Sequence, residues 1–212
     1  NWRNANYNYY HKPQIMLKHV WQIDDTQSLS TAAYASFASG YGYSGQGSGR
    51  NGYTYADWYG ANNGTLSTKF RRQDGFFDYA AIQAINAAST TGSELVMTKS
   101  NNSHKWLGLV SSYKKDVKQK NGNKLALIGG LDLRYYIGEH NNEICDLYDG
   151  AYFIDSKYRA AMKPAINKNA ADPTWVYKKL GVGDVVYRDY NGYVLQEGVY
   201  AQGEYTMLDG RL

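Results

Sequence analysis

Residues 125–137 read Leu-Ala-Leu-Ile-Gly-Gly-Leu-Asp-Leu-Arg-Tyr-Tyr-Ile and show the clearest alternation of apolar and polar side chains in the sequence. Its large apolar side chains recur at alternate positions up to Ile137, while Asp132 and Arg134 occupy the positions between them. A period of two places these two sets on opposite faces of a β-strand. At about 3.3 Å per residue, a strand of this length is long for a soluble protein but suits a tilted strand in a membrane.

The same alternation occurs in four further segments. We therefore predict an all-β chain with antiparallel strands near residues 13–23, 29–43, 106–117, 124–138 and 193–207. Each predicted strand has one apolar face and one mixed polar face. Tyrosines also cluster near the predicted strand ends, as at Tyr41 and Tyr43, which is typical of the aromatic girdles of membrane barrels.

The connections between the predicted strands alternate in length. Polar residues at 24–26 predict a short turn, and Asn121-Gly122-Asn123 predicts a hairpin. Two long loops, 44–105 and 139–192, alternate with these turns. Compact soluble domains rarely carry such loops, whereas outer-membrane barrels combine short turns on one side with long loops on the other. Helical spacing from Phe77 to Ala88 predicts one short helix in the first loop.

The composition favours a large β-sheet but does not distinguish a membrane protein from a soluble one. The 212 residues include 22 Tyr and 22 Gly but only 3 Pro, which suits a membrane barrel and a soluble β-sandwich equally. The net charge of +4 comes from well-mixed basic and acidic residues, so no nucleic-acid partner is indicated. The single cysteine, Cys145, excludes an internal disulfide framework. Both ends of the chain are abrupt and no signal peptide precedes it, so we expect a piece of a larger protein.

We predict no enzymatic activity and no cofactor. The residues Glu139, His140, Glu143, Cys145 and Asp146 have side chains that bind zinc, but their spacing matches no established pattern. The sequence also has no nucleophile elbow and no phosphate-binding loop.

Aromatic side chains of the long loops are the candidate ligand contacts. Such rings, beside Asn, Asp and Arg, can stack on sugars or hold peptides, and the alternative is that they pack the loops together. The candidates are Tyr53, Tyr55, Trp58 and Tyr59 in the first loop, and Tyr152, Trp175 and Tyr177 in the second. On the polar strand faces, the residues predicted to face a lumen are Asp132, Arg134, Gln196, Gln202 and Glu204.

Several segments, in chain order, resemble TonB-dependent receptors of Bacteroidetes, the SusC- and RagA-like outer-membrane transporters. Residues 101–108, Asn-Asn-Ser-His-Lys-Trp-Leu-Gly, resemble the "NNSHDWYG" segment of these proteins, and residues 129–136 resemble their "GGLDLRYYKG" strand. Residues 8–14 and 197–205 are similar to two further strands. Lys105 stands where the family has an acidic residue, and residues 157–179 match no part of its pattern.

The resemblance implies a transmembrane barrel of about 22 strands around a plug domain. This chain would supply about five strands and two extracellular loops, and it contains no plug domain. The implied function is import of a glycan, peptide or chelate across the Gram-negative outer membrane into the periplasm. The implied partners are the TonB system acting through the missing plug, a SusD-like surface lipoprotein, outer-membrane lipid and the nutrient ligand. The residues alone leave open a soluble or surface-anchored β-rich module whose aromatic loops bind glycan or protein.

Overall fold

A computed structural model of the protein describes residues 6–59 and 68–207. In these residues, six strands form one mostly antiparallel sheet. The strands are β1 (Asn8–His11), β2 (Gln14–Asp24), β3 (Gln27–Gly47), β4 (Leu95–Lys118), β5 (Lys124–Asp146) and β6 (Val185–Thr206). The connections contain the helices α1 (Ala56–Tyr59), α2 (Tyr79–Ala88) and α3 (Ser156–Ala161), and the 3-10 helices Lys168–Ala171 and Trp175–Tyr177.

The strand order of the sheet is β1-β3-β4-β5-β6, and β2 also pairs with β3. Strands β2 and β3 are antiparallel, with Ile15 opposite Ala35 and Trp21 opposite Leu29. Within the described residues the sheet is not closed, and β2 and β6 are outer strands. The predicted all-β, antiparallel fold class is confirmed, while closure into a barrel stays a prediction.

Both predicted short turns lie where the sequence places them. In the β2–β3 turn, Asp24 Oδ1 accepts hydrogen bonds from the amide and the hydroxyl of Thr26, both at 2.7 Å. In the β4–β5 hairpin, Gly122 has a φ of 86°, which favours glycine because a side chain would be strained there. The amide of Gly122 donates to the carbonyl of Gln119 at 3.1 Å and closes the turn.

At the ends that join the long loops, the strands extend further than the alternation of apolar and polar residues predicts. Strand β4 begins at Leu95 instead of near residue 106, because its first residues, Leu95–Thr98, are all buried and show no period of two. Strand β3 continues to Gly47 through a glycine-rich stretch, and β6 begins at Val185.

Strand β5 continues to Asp146 instead of ending near residue 138. Its last third is polar and has the composition of a loop, but side-chain hydrogen bonds join it to β4. Asn101 donates to Asn141 at 2.8 Å, and Asn102 Oδ1 lies 2.6 Å from His140 Nδ1. The two loops are accordingly shorter than predicted and span residues 48–94 and 147–184.

The chain divides into two compact units. The first, here called the loop unit, comprises residues 1–10, 40–102 and 139–190. The second, here called the sheet unit, comprises residues 11–39, 103–138 and 191–212.

The loop unit has a hydrophobic core on both sides of β4. Adjacent residues of a strand point to opposite faces, so Leu95 packs in one cluster and Val96 in another. The first cluster contains Trp58, Phe70, Phe77, Ile82, Leu95, Met97, Cys145 and Tyr148. The second contains Val96, Ile144, Phe153, Leu180 and Val186.

The predicted short helix of the first loop is present as α2, Tyr79–Ala88. The side chain of Asp78 caps its first turn by accepting a hydrogen bond from the Ala81 amide at 3.0 Å. Ile82 is fully buried and anchors the helix to the first cluster.

Candidate functional site

One face of the sheet unit exposes large apolar side chains. The odd-numbered residues of β2 and β3 lie opposite each other, as Leu17 does with Ala33, and the hydroxyls of Thr31 and Ser111 hydrogen-bond at 2.9 Å on the same face. Exposed on these odd positions are Ile15, Leu17, Trp21, Ile23, Phe37, Leu107, Tyr113, Leu127, Leu133, Tyr135, Tyr193, Leu195, Val199 and Tyr205. Because Leu17 is 72% and Val199 is 89% exposed, no described residue of the sheet unit covers this face.

Aromatic residues occupy both ends of this apolar face. Near the short turns, the Tyr113 hydroxyl donates to Gln27, and the Tyr205 hydroxyl accepts a hydrogen bond from Asn123 at 2.7 Å. At the opposite ends of the strands lie Phe37, Tyr135 and Tyr193, with mainly aliphatic residues between the two groups. On the outer strands, His19 and Glu197 interrupt the face.

The opposite face of the sheet unit is mixed: polar residues predominate, but Met16, Val20 and Val194 are also exposed on it. The predicted lumen-facing residues have the parity of this face. Arg134 Nε donates to the Tyr34 hydroxyl at 3.2 Å, and its guanidinium lies 5.4 Å from the ring centre of Trp106. Asp132 is 3.6 Å from Arg134. The other three, on β6 and exposed, are Gln196, Gln202 and Glu204. Contact of this face with a lumen stays a prediction.

The structure buries part of the aromatic set predicted in the first loop. Trp58 is 1% exposed, stacks on Phe77 at 5.2 Å and donates its indole N–H to the Gln46 carbonyl. Trp58 therefore packs in the core, which is the alternative that the sequence left open for the loop aromatics. Tyr53 is half-buried against the same cluster, whereas Tyr55 is 52% exposed.

In the second loop the three candidate aromatic residues differ in their exposure and in the cations beside their rings. Trp175 is half-buried, with the guanidinium of Arg159 3.8 Å from its ring centre. The ring of Tyr152 lies 4.5 Å from Lys179 Nζ. Tyr177 is 73% exposed. Tyr55 and Tyr177 therefore remain the loop aromatics most accessible to a ligand among the seven candidates.

A buried polar group that the sequence does not reveal joins α3 to the start of β6. Asp155 accepts hydrogen bonds from the amides of Tyr187 at 2.8 Å and Tyr158 at 3.3 Å. Burial raises the pKa of Asp155 above its ordinary value. Arg159 donates to the carbonyls of Trp175 and Val185. These bonds satisfy partly buried backbone groups, and they indicate a structural role.

Alkaline pH is expected to destabilise the loop unit through Tyr59. Burial raises the pKa of Tyr59 from 10.0 to about 12, and its hydroxyl oxygen accepts a hydrogen bond from the Gly45 amide at 2.7 Å. The unfolded chain loses the Tyr59 proton first, so the stability is complete below pH 10 and falls as the pH rises toward 12. Because the side chain is partly exposed, we expect a loss of about 1 kcal/mol at pH 12.

The measurement is the free energy of unfolding of the loop unit at pH values from about 8 to about 12. This range extends about two pH units on either side of the ordinary pKa of tyrosine. The matched variant is Tyr59→Phe, which cannot ionise. Its stability should fall less steeply above pH 10 than that of the wild type. Identical slopes for the two proteins would show that Tyr59 does not carry the effect.

In residues 6–59 and 68–207, no group of three or more His, Cys, Asp and Glu side chains is arranged to hold a metal ion. His140 of the metal pattern considered above is hydrogen-bonded to Asn102, and Cys145 is buried in the first core cluster.

The helices in the described part of the chain are all too short or too polar to cross a membrane. Comparison of the chain with protein-family models, with curated proteins and with solved structures finds no match.

Proposed function

We propose that the chain forms part of the wall of a TonB-dependent outer-membrane transporter that imports a nutrient into the periplasm. The observation that carries this proposal is the exposed apolar face of the sheet unit, with aromatic residues at both ends of an aliphatic band. Large exposed apolar surfaces mark contact with a partner or a membrane. An aliphatic band between two aromatic girdles is the pattern that barrels present to lipid.

The lengths of strands and connections support the same proposal. Strands β3, β4, β5 and β6 have 21, 24, 23 and 22 residues, whereas strands of soluble proteins usually have about 3–10. Short turns join β2 to β3 and β4 to β5, and the long connections follow β3 and β5. In an antiparallel sheet this arrangement puts both long connections at the same end, as in outer-membrane barrels.

The proposal requires further strands to pair with β2 and β6. In lipid, unpaired backbone groups on these outer strands would have no hydrogen-bonding partners, so only a closed sheet is stable there. A complete barrel of about 22 strands would place the polar face inside, against a plug that the TonB system acts on. The long connections would then be extracellular, where Tyr55 and Tyr177 are available to a nutrient or a SusD-like lipoprotein.

Neighbouring spin labels on the two faces test the proposal directly. In the native protein reconstituted in lipid vesicles, a nitroxide at Leu17 should collide frequently with oxygen and rarely with a water-soluble nickel chelate. A nitroxide at Lys18, on the opposite face of the same strand, should show the reverse preference. Cys145 is buried and should not react with the label.

Two results would overturn the proposal. Equal access of the nickel chelate to both labels would place both faces in water, and exclusion of both probes from Leu17 would place it in a protein core. Either result favours the soluble or surface-anchored binding module. We also expect the native protein to leave membranes only with detergent and to change its gel mobility on heating.

A further inference from the structure

The dipeptide Asn-Gly occurs four times in the chain, at residues 51–52, 63–64, 121–122 and 191–192. Asparagine is chemically labile. A following glycine has no side chain, so its amide nitrogen can approach the asparagine side chain freely. Residues 63–64 lie outside the described residues. The structure distinguishes the other three dipeptides by the backbone around them.

The first dipeptide forms the tip of a tight hairpin, residues 48–53. Asn51 and Gly52 are exposed and have φ values of 49° and 78°. Two successive positive φ values, closed by a hydrogen bond from the Tyr53 amide to the Arg50 carbonyl at 2.9 Å, are typical of a type I′ turn. Among the described residues the Gly52 amide donates no hydrogen bond. The amide nitrogen of Gly52 is therefore open to reaction.

The other two described dipeptides are held by backbone pairing. The Gly122 amide donates to the Gln119 carbonyl at 3.1 Å, so a reaction at this nitrogen must first break the turn. Residues 191–192 lie within β6, which pairs with β5, so a reaction there must bend a paired strand. Asn51 is therefore the most reactive of the three asparagines.

The Asn51 side chain also joins the hairpin to the residue before β4. Its Nδ2 donates to Glu94 Oε1 at 2.8 Å. Glu94 is 2% exposed, and its other carboxylate oxygen accepts from the Ser48 hydroxyl. Among the described residues Glu94 forms no ion pair with Lys or Arg. The buried carboxylate thus depends on neutral donors, and Asn51 is one of them.

We propose that Asn51 is a site of spontaneous deamidation in the folded protein, and that this modification releases the 48–53 hairpin from Glu94. The Gly52 nitrogen bonds to Asn51 Cγ, and the side-chain NH2 leaves with the Gly52 amide proton as ammonia. Water then opens the cyclic imide and leaves aspartate or isoaspartate. Because an ionised carboxylate only accepts hydrogen bonds, the bond to Glu94 is lost and two carboxylates face each other.

Peptide mapping after incubation of the native protein in warm, mildly alkaline buffer measures the rate of conversion at each Asn-Gly dipeptide. Conversion at Asn51 should be at least about fivefold faster than at Asn121 or Asn191, a factor equivalent to one net hydrogen bond. The control is the denatured chain, in which the three rates should become similar because the fold no longer distinguishes the dipeptides.

The variant Asn51→Asp imitates one deamidated product. Hydrogen exchange at the amides of residues 48–53 should become at least about tenfold faster, because the hairpin loses its hydrogen bond to a buried carboxylate. The matched control is Asn121→Asp in the exposed β4–β5 turn. There the side-chain oxygen accepts from the Asn123 amide, and an aspartate oxygen can still accept. Exchange at residues 119–123 should therefore stay unchanged.

A second substitution should reverse the effect. Adding Glu94→Gln to Asn51→Asp restores one donor and one acceptor across the contact, with their positions exchanged, and leaves an acceptor for the Ser48 hydroxyl. We expect slow exchange at residues 48–53 to return in this double variant. Slow exchange at the β4 amides of residues 95–98 shows that each variant is folded.

Equal rates of conversion at Asn51 and Asn121 in the folded protein would overturn the assignment of Asn51 as the reactive site. Unchanged exchange in Asn51→Asp, or no recovery in the double variant, would overturn the release of the hairpin. These outcomes do not depend on the medium that covers the apolar face, so they are separate from the test of the transporter proposal.

Discussion

Replacing Asn86 with alanine should lower the free energy of unfolding of the loop unit by about 4 kcal/mol, a loss confined to the most disruptive buried substitutions. Asn86 is 2% exposed, so water cannot replace its side chain. Its amide oxygen accepts from the backbone N–H groups of Glu94 and Leu95 at 2.9 and 3.2 Å. Its amide nitrogen donates to the carbonyls of Leu95 and Leu147 at 2.7 and 2.9 Å. Three buried backbone groups and the part-buried carbonyl of Leu147 would each lose a hydrogen bond.

Hydrogen exchange at the β4 amides of residues 95–98 measures this loss, because these amides lie in the core of the loop unit. The matched control is Gln83→Ala in the same helix. Gln83 also has an amide side chain, but its hydrogen bond to Asp149, at 2.9 Å, is exposed to water. We expect this control to change the stability by no more than about 0.5 kcal/mol. Similar exchange rates in the two variants would refute the structural role of Asn86.

The sequence predicts strands best where apolar side chains lie on one face of the strand and polar side chains lie on the other. From Leu125 to Ile137 most large apolar side chains lie on one face, and Asp132 and Arg134 lie on the other, so the alternation marks the strand. The buried start of β4, Leu95–Thr98, has apolar cover on both faces, and no alternation remains to mark it. The core of the loop unit was missed for this reason.

The candidate site could be predicted only in part. Parity alone places Asp132 and Arg134 together on one face, and the structure brings them within 3.6 Å of each other. The alternation does not reveal whether an aromatic loop residue packs inward. The burial of Trp58 was not predicted, because burial depends on residues distant in sequence. The approach of Lys12 to the ring of Trp106 could not be predicted, because Lys12 lies between β1 and β2 and Trp106 lies in β4.

Replacing Val199 with arginine should destabilise the protein in lipid vesicles by about 2–4 kcal/mol, the cost of a cation near the centre of a bilayer. Val199 lies midway between Tyr193 and Tyr205 on the apolar face of β6. It is 89% exposed in the sheet unit. If lipid covers this face, the guanidinium must leave water. Denaturant titration of the reconstituted protein, followed by heat-dependent gel mobility, measures the change.

The control is Gln202→Arg, which adds the same group to the opposite face of the same strand. We expect a change within about 0.5 kcal/mol there, as at an ordinary surface position. Both side chains are exposed in the sheet unit, so exposure alone predicts equal tolerance of the two substitutions. Only the medium that covers each face distinguishes them. A large loss at Val199 alone would therefore indicate lipid or a tightly packed partner on the apolar face. Equal, small losses would place that face in water and contradict the transporter proposal.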